Sequence, residues 1–175
     1  IVGILPFFLG AFLAYRIMDA FNLEVFMLGI VGVILIMLST YHSGEYFDQK
    51  ENAISARLHQ NQFAGGTRMI IEGKMPARIA LWTSIIAPLI ALMIGIVLQF
   101  IYKTGPYTLI LGCLGALPGF FYSTEAIRLV KRGVGEIFIG FCFGWLPVAS
   151  SYYIQTATIA PVINWLWIPI GFSIF

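Results

Sequence analysis

The stretch VFMLGIVGVILIMLSTYHSGEYFDQKEN, residues 25–52, decides the fold class. Its first part, Val25–Tyr41, is an apolar run without a single charged side chain, and it has the length that one bilayer crossing needs. Its last part brings in His42, Glu45, Asp48, Lys50, Glu51 and Asn52. An apolar run that ends in ionisable side chains reads as a transmembrane helix arriving at a polar face. If the helix continues, Glu45, Asp48 and Asn52 fall within about 60° of one another at 100° per residue, with His42 one turn earlier. Two carboxylates and an amide on one helix face are hard oxygen donors, the type that suits Mg2+ shared with substrate phosphates. The plainer reading of the same residues is a solvated helix end.

The rest of the chain repeats the pattern. Its 175 residues are 59% hydrophobic and only 10% charged, with a mean hydropathy of +0.90. A soluble domain carries about 25% charge. That difference excludes a soluble monomer, a disordered chain and a nucleic-acid-binding arm. A transmembrane barrel would alternate over segments of about ten residues, whereas these runs are long and unbroken. The expected fold is therefore all-α, a polytopic helical bundle forming a single domain over 1–175. Five to six spans are expected: Ile1–Tyr15, Val25–Tyr41, Ile79–Ile101, Tyr107–Tyr122, Val134–Tyr153, and Ile159 to the end. The first run covers about 22 Å of a hydrocarbon core of about 30 Å, and the last stops inside an apolar segment, so the chain is expected to be truncated at both ends. Cys113 and Cys142 lie in separate apolar runs and read as small core residues, with no disulfide between them.

The position of the charges says more than their net value of +2. Of the 18 charged side chains, nine lie in Glu45–Arg78 and five in Glu125–Glu136. These two loops hold eight of the ten Lys and Arg residues; the alternating connections hold Arg16 and Lys103. By the positive-inside rule both loops face the cytoplasm. A topological signal needs bases only. The acids mixed among them, Glu45, Asp48, Glu51 and Glu136 included, point to a site at 45–78 and 125–136.

Two further patterns fall in these loops. Gly65-Gly66-Thr67-Arg68 allows close backbone approach to a ligand and places an arginine fork beside it. Arg128, Lys131 and Arg132 put three bases within five residues, enough to balance a diphosphate, although they also read as a membrane-edge anchor. Glu136 opens the next apolar run, where an acid is either functional or complements a helix N-terminus.

Together these loops resemble the UbiA superfamily of intramembrane prenyltransferases. The family's first acidic motif, NDxxDxxxD or NExxDxxxD at the end of the second span, is similar to Gly44-Glu45-Tyr46-Phe47-Asp48 through Asn52. A menaquinone-pathway and archaeal-like branch carries Gly-Gly-Ser-Arg and basic-Gly-x-Gly-Glu stretches, which Ala64–Arg68 and Lys131–Glu136 resemble, the latter preceded by Tyr122-Ser-Thr. Leu5-Pro-Phe-Phe-Leu-Gly10 looks like the family's first span. Gly44 stands where the family has Asn, and Asn52 where it has Asp. The family's second acidic motif follows its sixth span. No aspartate lies beyond residue 48 here, so that motif is expected beyond Phe175 in a nine-span protein.

The resemblance implies transfer of a prenyl group from a prenyl diphosphate to an aromatic quinone precursor or a similar hydrophobic acceptor. Glu45, Asp48 and Asn52 would hold Mg2+, with Asp48, Glu45 and Tyr122 as the catalytic set. Arg68, Arg128, Lys131 and Arg132 would bind the diphosphate, and an aromatic face such as Tyr122 would stabilise an allylic cation. The implied surroundings are the lipid bilayer of a cell membrane, with no nucleic-acid partner. The alternatives are a non-catalytic membrane subunit of the same fold and a fragment of a secondary transporter. A transporter, however, would put its charges near the bilayer midplane.

Overall fold

The computed structural model describes residues 3–55, 69–124 and 135–172. Over these residues the chain is helical, with no strand. Helix α1 is Ile4–Met18, α2 Leu23–Phe47, α3 Gln49–Ser55, α4 Ala77–Ile96, α5 Thr108–Phe121, α6 Gly135–Gly140, α7 Leu146–Thr156 and α8 Ile163–Phe172. A π-helical turn, Val97–Ile101, extends α4, and a second one, Phe141–Trp145, joins α6 to α7. Three continuous helices, Leu23–Phe47, Ala77–Ile101 and Ile137–Thr156, are long and apolar enough to cross a membrane, and α1 and α5 are shorter apolar helices. The expected spans are these helices, with shifted ends. Helix α2 overruns its apolar run by six residues and carries Glu45 within its last turn.

Each helix end has a local cause. The Asn22 side chain accepts from the Glu24 and Val25 amides at 2.9 and 3.1 Å and so starts α2. Asp19 and Ala157 end α1 and α7 in the left-handed conformation. Pro147 offers no N–H to the Phe143 carbonyl, and the helix widens to π geometry just before it.

Helices α2 and α4 pack through small and hydroxyl side chains. The buried Ser39 hydroxyl donates to the buried Ser84 carbonyl at 2.6 Å, and Ala80 and Ala87 lie at the same seam. Lipid offers no hydrophobic drive between helices, so close small-residue contact and interhelical hydrogen bonds take its place. Helix α1 packs on α7. A Cβ at Gly10 would overlap the Val148 carbonyl oxygen and come within 2.8 Å of Ser151 Cβ. Backbone cannot move aside as a flexible side chain can. Gly10→Val is therefore expected to destabilise the bundle by about 1–3 kcal/mol, read as a lower thermal unfolding midpoint in detergent.

The outward faces are apolar. Trp82 is 60% and Leu89 56% exposed, and Leu5, Met93, Phe100 and Trp165 are exposed as well. In water such a surface is a liability; in a bilayer it is the lipid-facing surface.

Polar contacts sort the helix ends into two sets. At one end, Gln155 of α7 bonds the Asn22 backbone in both directions at 2.6 and 3.1 Å, and Tyr102 donates to Glu24 at 2.7 Å. That bond to the Glu24 carboxylate holds the Tyr102 hydroxyl above its ordinary pKa. Gly105, at φ 116°, turns the chain back beneath the Tyr153 hydroxyl, which accepts from the Tyr107 amide at 3.2 Å. At the other end, α2 meets the start of α4 through His42 and Thr83, and meets the end of α5 through Asp48 and Ser123. The flanks of both charged loops thus emerge together, and Lys103 lies at the opposite end.

Candidate active site

Glu45 lies in the last turn of α2, and Asp48 caps that helix. The helix label breaks there, but the backbone ladder does not. The Asp48 amide donates to the Gly44 carbonyl at 2.9 Å, and the Asn52 amide to the Asp48 carbonyl at 2.8 Å. Because the turn carries through, Glu45, Asp48 and Asn52 share one face, as the 100° spacing anticipates. All three line the mouth of one cavity, together with Tyr122. Glu45 is 5% exposed and Asn52 9%. A carboxylate that deep in a membrane protein is costly unless hydrogen bonds or a cation balance it.

Ser123 is a site residue that the sequence reading passed over. Its hydroxyl is buried and donates to Asp48 Oδ2 at 2.5 Å, fixing one carboxylate oxygen. Its position directly after Tyr122 was the available signal. His42, by contrast, is not on the cavity lining and pairs with the Thr83 hydroxyl across the α2–α4 seam, a packing role. Arg68, Arg128, Lys131 and Arg132 lie outside the described residues. Glu136 is in the first turn of α6. Cys113 and Cys142 are free thiols.

Behind the mouth the cavity is apolar, about 490 Å3 in volume, half-open, and lined by α1, α2, α4, α5 and the α6–α7 rod. It runs from Asn52 of α3 along α2 to Gly29, so Asp48 and Gly29 stand about 28 Å apart at 1.5 Å per residue. Wall positions on α2, α4 and α5 are repeatedly glycine, among them Gly32, Gly95, Gly112 and Gly115.

The residues present fit Mg2+ by the chemistry of their donors. Among the described residues no three His, Cys, Asp or Glu side chains gather as a self-sufficient metal cage. Two carboxylates and an amide at a cavity mouth are instead the partial ligand set that Mg2+ completes with water and substrate phosphate.

The described residues thus form a helical membrane bundle with an apolar cavity that carries Glu45, Asp48 and Asn52 at one end. The profile of the UbiA prenyltransferase family matches residues 3–175, and the chain belongs to that family. It is an integral, polytopic membrane protein. It is also similar to 1,4-dihydroxy-2-naphthoate octaprenyltransferase of Bacillus subtilis (strain 168), at 26% identity over 152 residues, which is 86% of this chain and 46% of that protein. The chain thus spans about half the length of this relative. No solved structure matches it significantly.

Proposed function

We propose that the complete protein is an Mg2+-dependent intramembrane prenyltransferase. It would move a prenyl group from a prenyl diphosphate to an aromatic quinone precursor or a similar hydrophobic acceptor. The observation that carries this reading is the union of Glu45, Asp48 and Asn52 at the mouth of one long apolar cavity, in a chain of this family. The prenyl tail would occupy the cavity and the diphosphate would stay at the rim.

In this reading the allylic C1–O bond breaks and its electron pair leaves on the diphosphate. C1 bonds to a carbon of the acceptor, and the proton on that carbon is released. Glu45, Asp48 and Asn52 would hold Mg2+, which supplies positive charge against the leaving diphosphate. Ser123 orients the Asp48 carboxylate. Arg68, Arg128, Lys131 and Arg132 would grip diphosphate oxygens, and Tyr122 would offer an aromatic face to the allylic carbon. The apolar walls would keep water from the cation. The eight-to-two bias of Lys and Arg supports a cytoplasmic orientation of the Asp48 end.

The test is turnover of the purified complete protein with a labelled prenyl diphosphate and 1,4-dihydroxy-2-naphthoate, the acceptor in the Bacillus relative's name. Prenylated product that forms with Mg2+ and not with EDTA supports the reading. No product with this or any other aromatic acceptor would favour a non-catalytic subunit of the same fold. Ser123→Ala is expected to raise the Mg2+ concentration for half-maximal turnover about 10- to 100-fold, the usual cost of losing a group that orients a metal ligand.

A further inference from the structure

Resting on that reading, we infer that the cavity is a ruler: Phe7, Leu98 and Ile154 form a floor that sets the longest prenyl tail the protein accepts. These three side chains line the deep end of the cavity and are themselves 1%, 4% and 7% exposed. They belong to one packed cluster that also holds Ala11, Val25 and Phe26. Phe7 and Ile154 press onto the α2 backbone at Gly29, where a Cβ would come within 2.7 and 2.6 Å of them. The Asn22–Gln155 and Tyr102–Glu24 bonds tie the helices together just beyond. A tail anchored by its diphosphate at Asp48 therefore has about 28 Å before it meets packed side chains.

The walls above the floor show where the ruler is set. Gly32 is buried, yet a Cβ there would find no atom nearer than Ile94 Cγ2 at 3.9 Å. At Gly112, on the α5 wall, a Cβ would meet nothing within 4 Å. A glycine in a packed seam meets neighbours at once, as Gly10 does; these two border open volume instead. They lie at different depths. Gly112 is about 16 Å along α5 from Ser123, and Gly32 about 24 Å along α2 from Asp48. A leucine at either position would project into the cavity without displacing backbone.

The experiment is turnover of the complete protein with prenyl diphosphates of increasing tail length, read as the ratio of long-tail to short-tail rates. Gly112→Leu is expected to cut the ratio about tenfold or more at a shorter tail length than Gly32→Leu does, because each lost apolar contact weakens long-tail binding. Phe7→Ala and Ile154→Ala are expected to move the preference to longer tails. The lengthening and shortening pairs are independent, so a variant that fails to fold leaves the other pair decisive. Leu89→Ala, at an exposed α4 position off the cavity lining, is the control and should keep the parent's ratio. A parent that turns over, with a ratio unmoved by the folded variants, overturns the ruler alone. A parent with no turnover on any tail length overturns the prenyltransferase reading and the ruler with it.

Discussion

Replacing Asp48 with alanine is expected to abolish Mg2+-dependent turnover in the complete protein, with a loss of about a hundredfold or more. Metal-borne stabilisation of a leaving group amounts to several kcal/mol, and each 1.36 kcal/mol is tenfold in rate. Asp48 sits at the junction of α2 and α3, lines the cavity mouth and is held by Ser123 at 2.5 Å. Glu45→Gln keeps the shape and one oxygen donor and should weaken turnover without abolishing it. Initial rates across a Mg2+ titration check both. A rate and a metal requirement in Asp48→Ala equal to the parent's would refute the assignment.

The second large effect concerns the basic residues. A membrane-edge anchor depends on charge count, so lysine replaces arginine there without cost. A diphosphate clamp depends on geometry, because an arginine fork donates paired hydrogen bonds that a lysine point charge does not reproduce. Arg68→Lys and Arg128→Lys are each expected to weaken prenyl-diphosphate binding by about 1–3 kcal/mol, leaving insertion and orientation unchanged. Lys103, in the turn at the opposite end of the bundle, is the internal control, and Lys103→Ala should bind as the parent does. Isothermal titration of each variant with a non-hydrolysable analogue separates the cases. Parent-like binding by both arginine variants would reduce the loops to topology signals.

The spans were legible because the bilayer imposes one strong rule. A crossing segment needs about 20 apolar residues with its backbone bonded internally, and that rule leaves its mark on composition. Val25–Tyr41 and Ile79–Ile101 therefore anticipate the cores of α2 and α4 closely. Helical spacing likewise brings Glu45, Asp48 and Asn52 to one face, since 3.6-residue periodicity survives the break at Asp48. What spacing does not encode is the partner across the seam. His42 is near the acids in sequence and faces Thr83 of α4 in space. Ser123 is 75 residues from Asp48 and touches it. The glycines divide in the same way: Gly10 is small because a carbonyl presses on it, and Gly112 borders open volume. Composition reads them alike, and only packing tells seam from cavity. The π-helical turn at Phe141–Trp145 was also invisible, because Pro147 signals a break without saying whether the helix kinks or widens.

On this proposal the acids at the rim and the apolar cavity behind them form one site for a prenyl diphosphate. Its most direct test is a binding titration of the complete purified protein with a non-hydrolysable prenyl diphosphate analogue, in Mg2+ and in EDTA, for the parent and for Asp48→Ala. Saturable binding by the parent in Mg2+, its loss in EDTA, and its loss in Asp48→Ala even with Mg2+ present are the expected results. Binding that is equal in Mg2+ and EDTA and unaffected by Asp48→Ala would contradict the proposal.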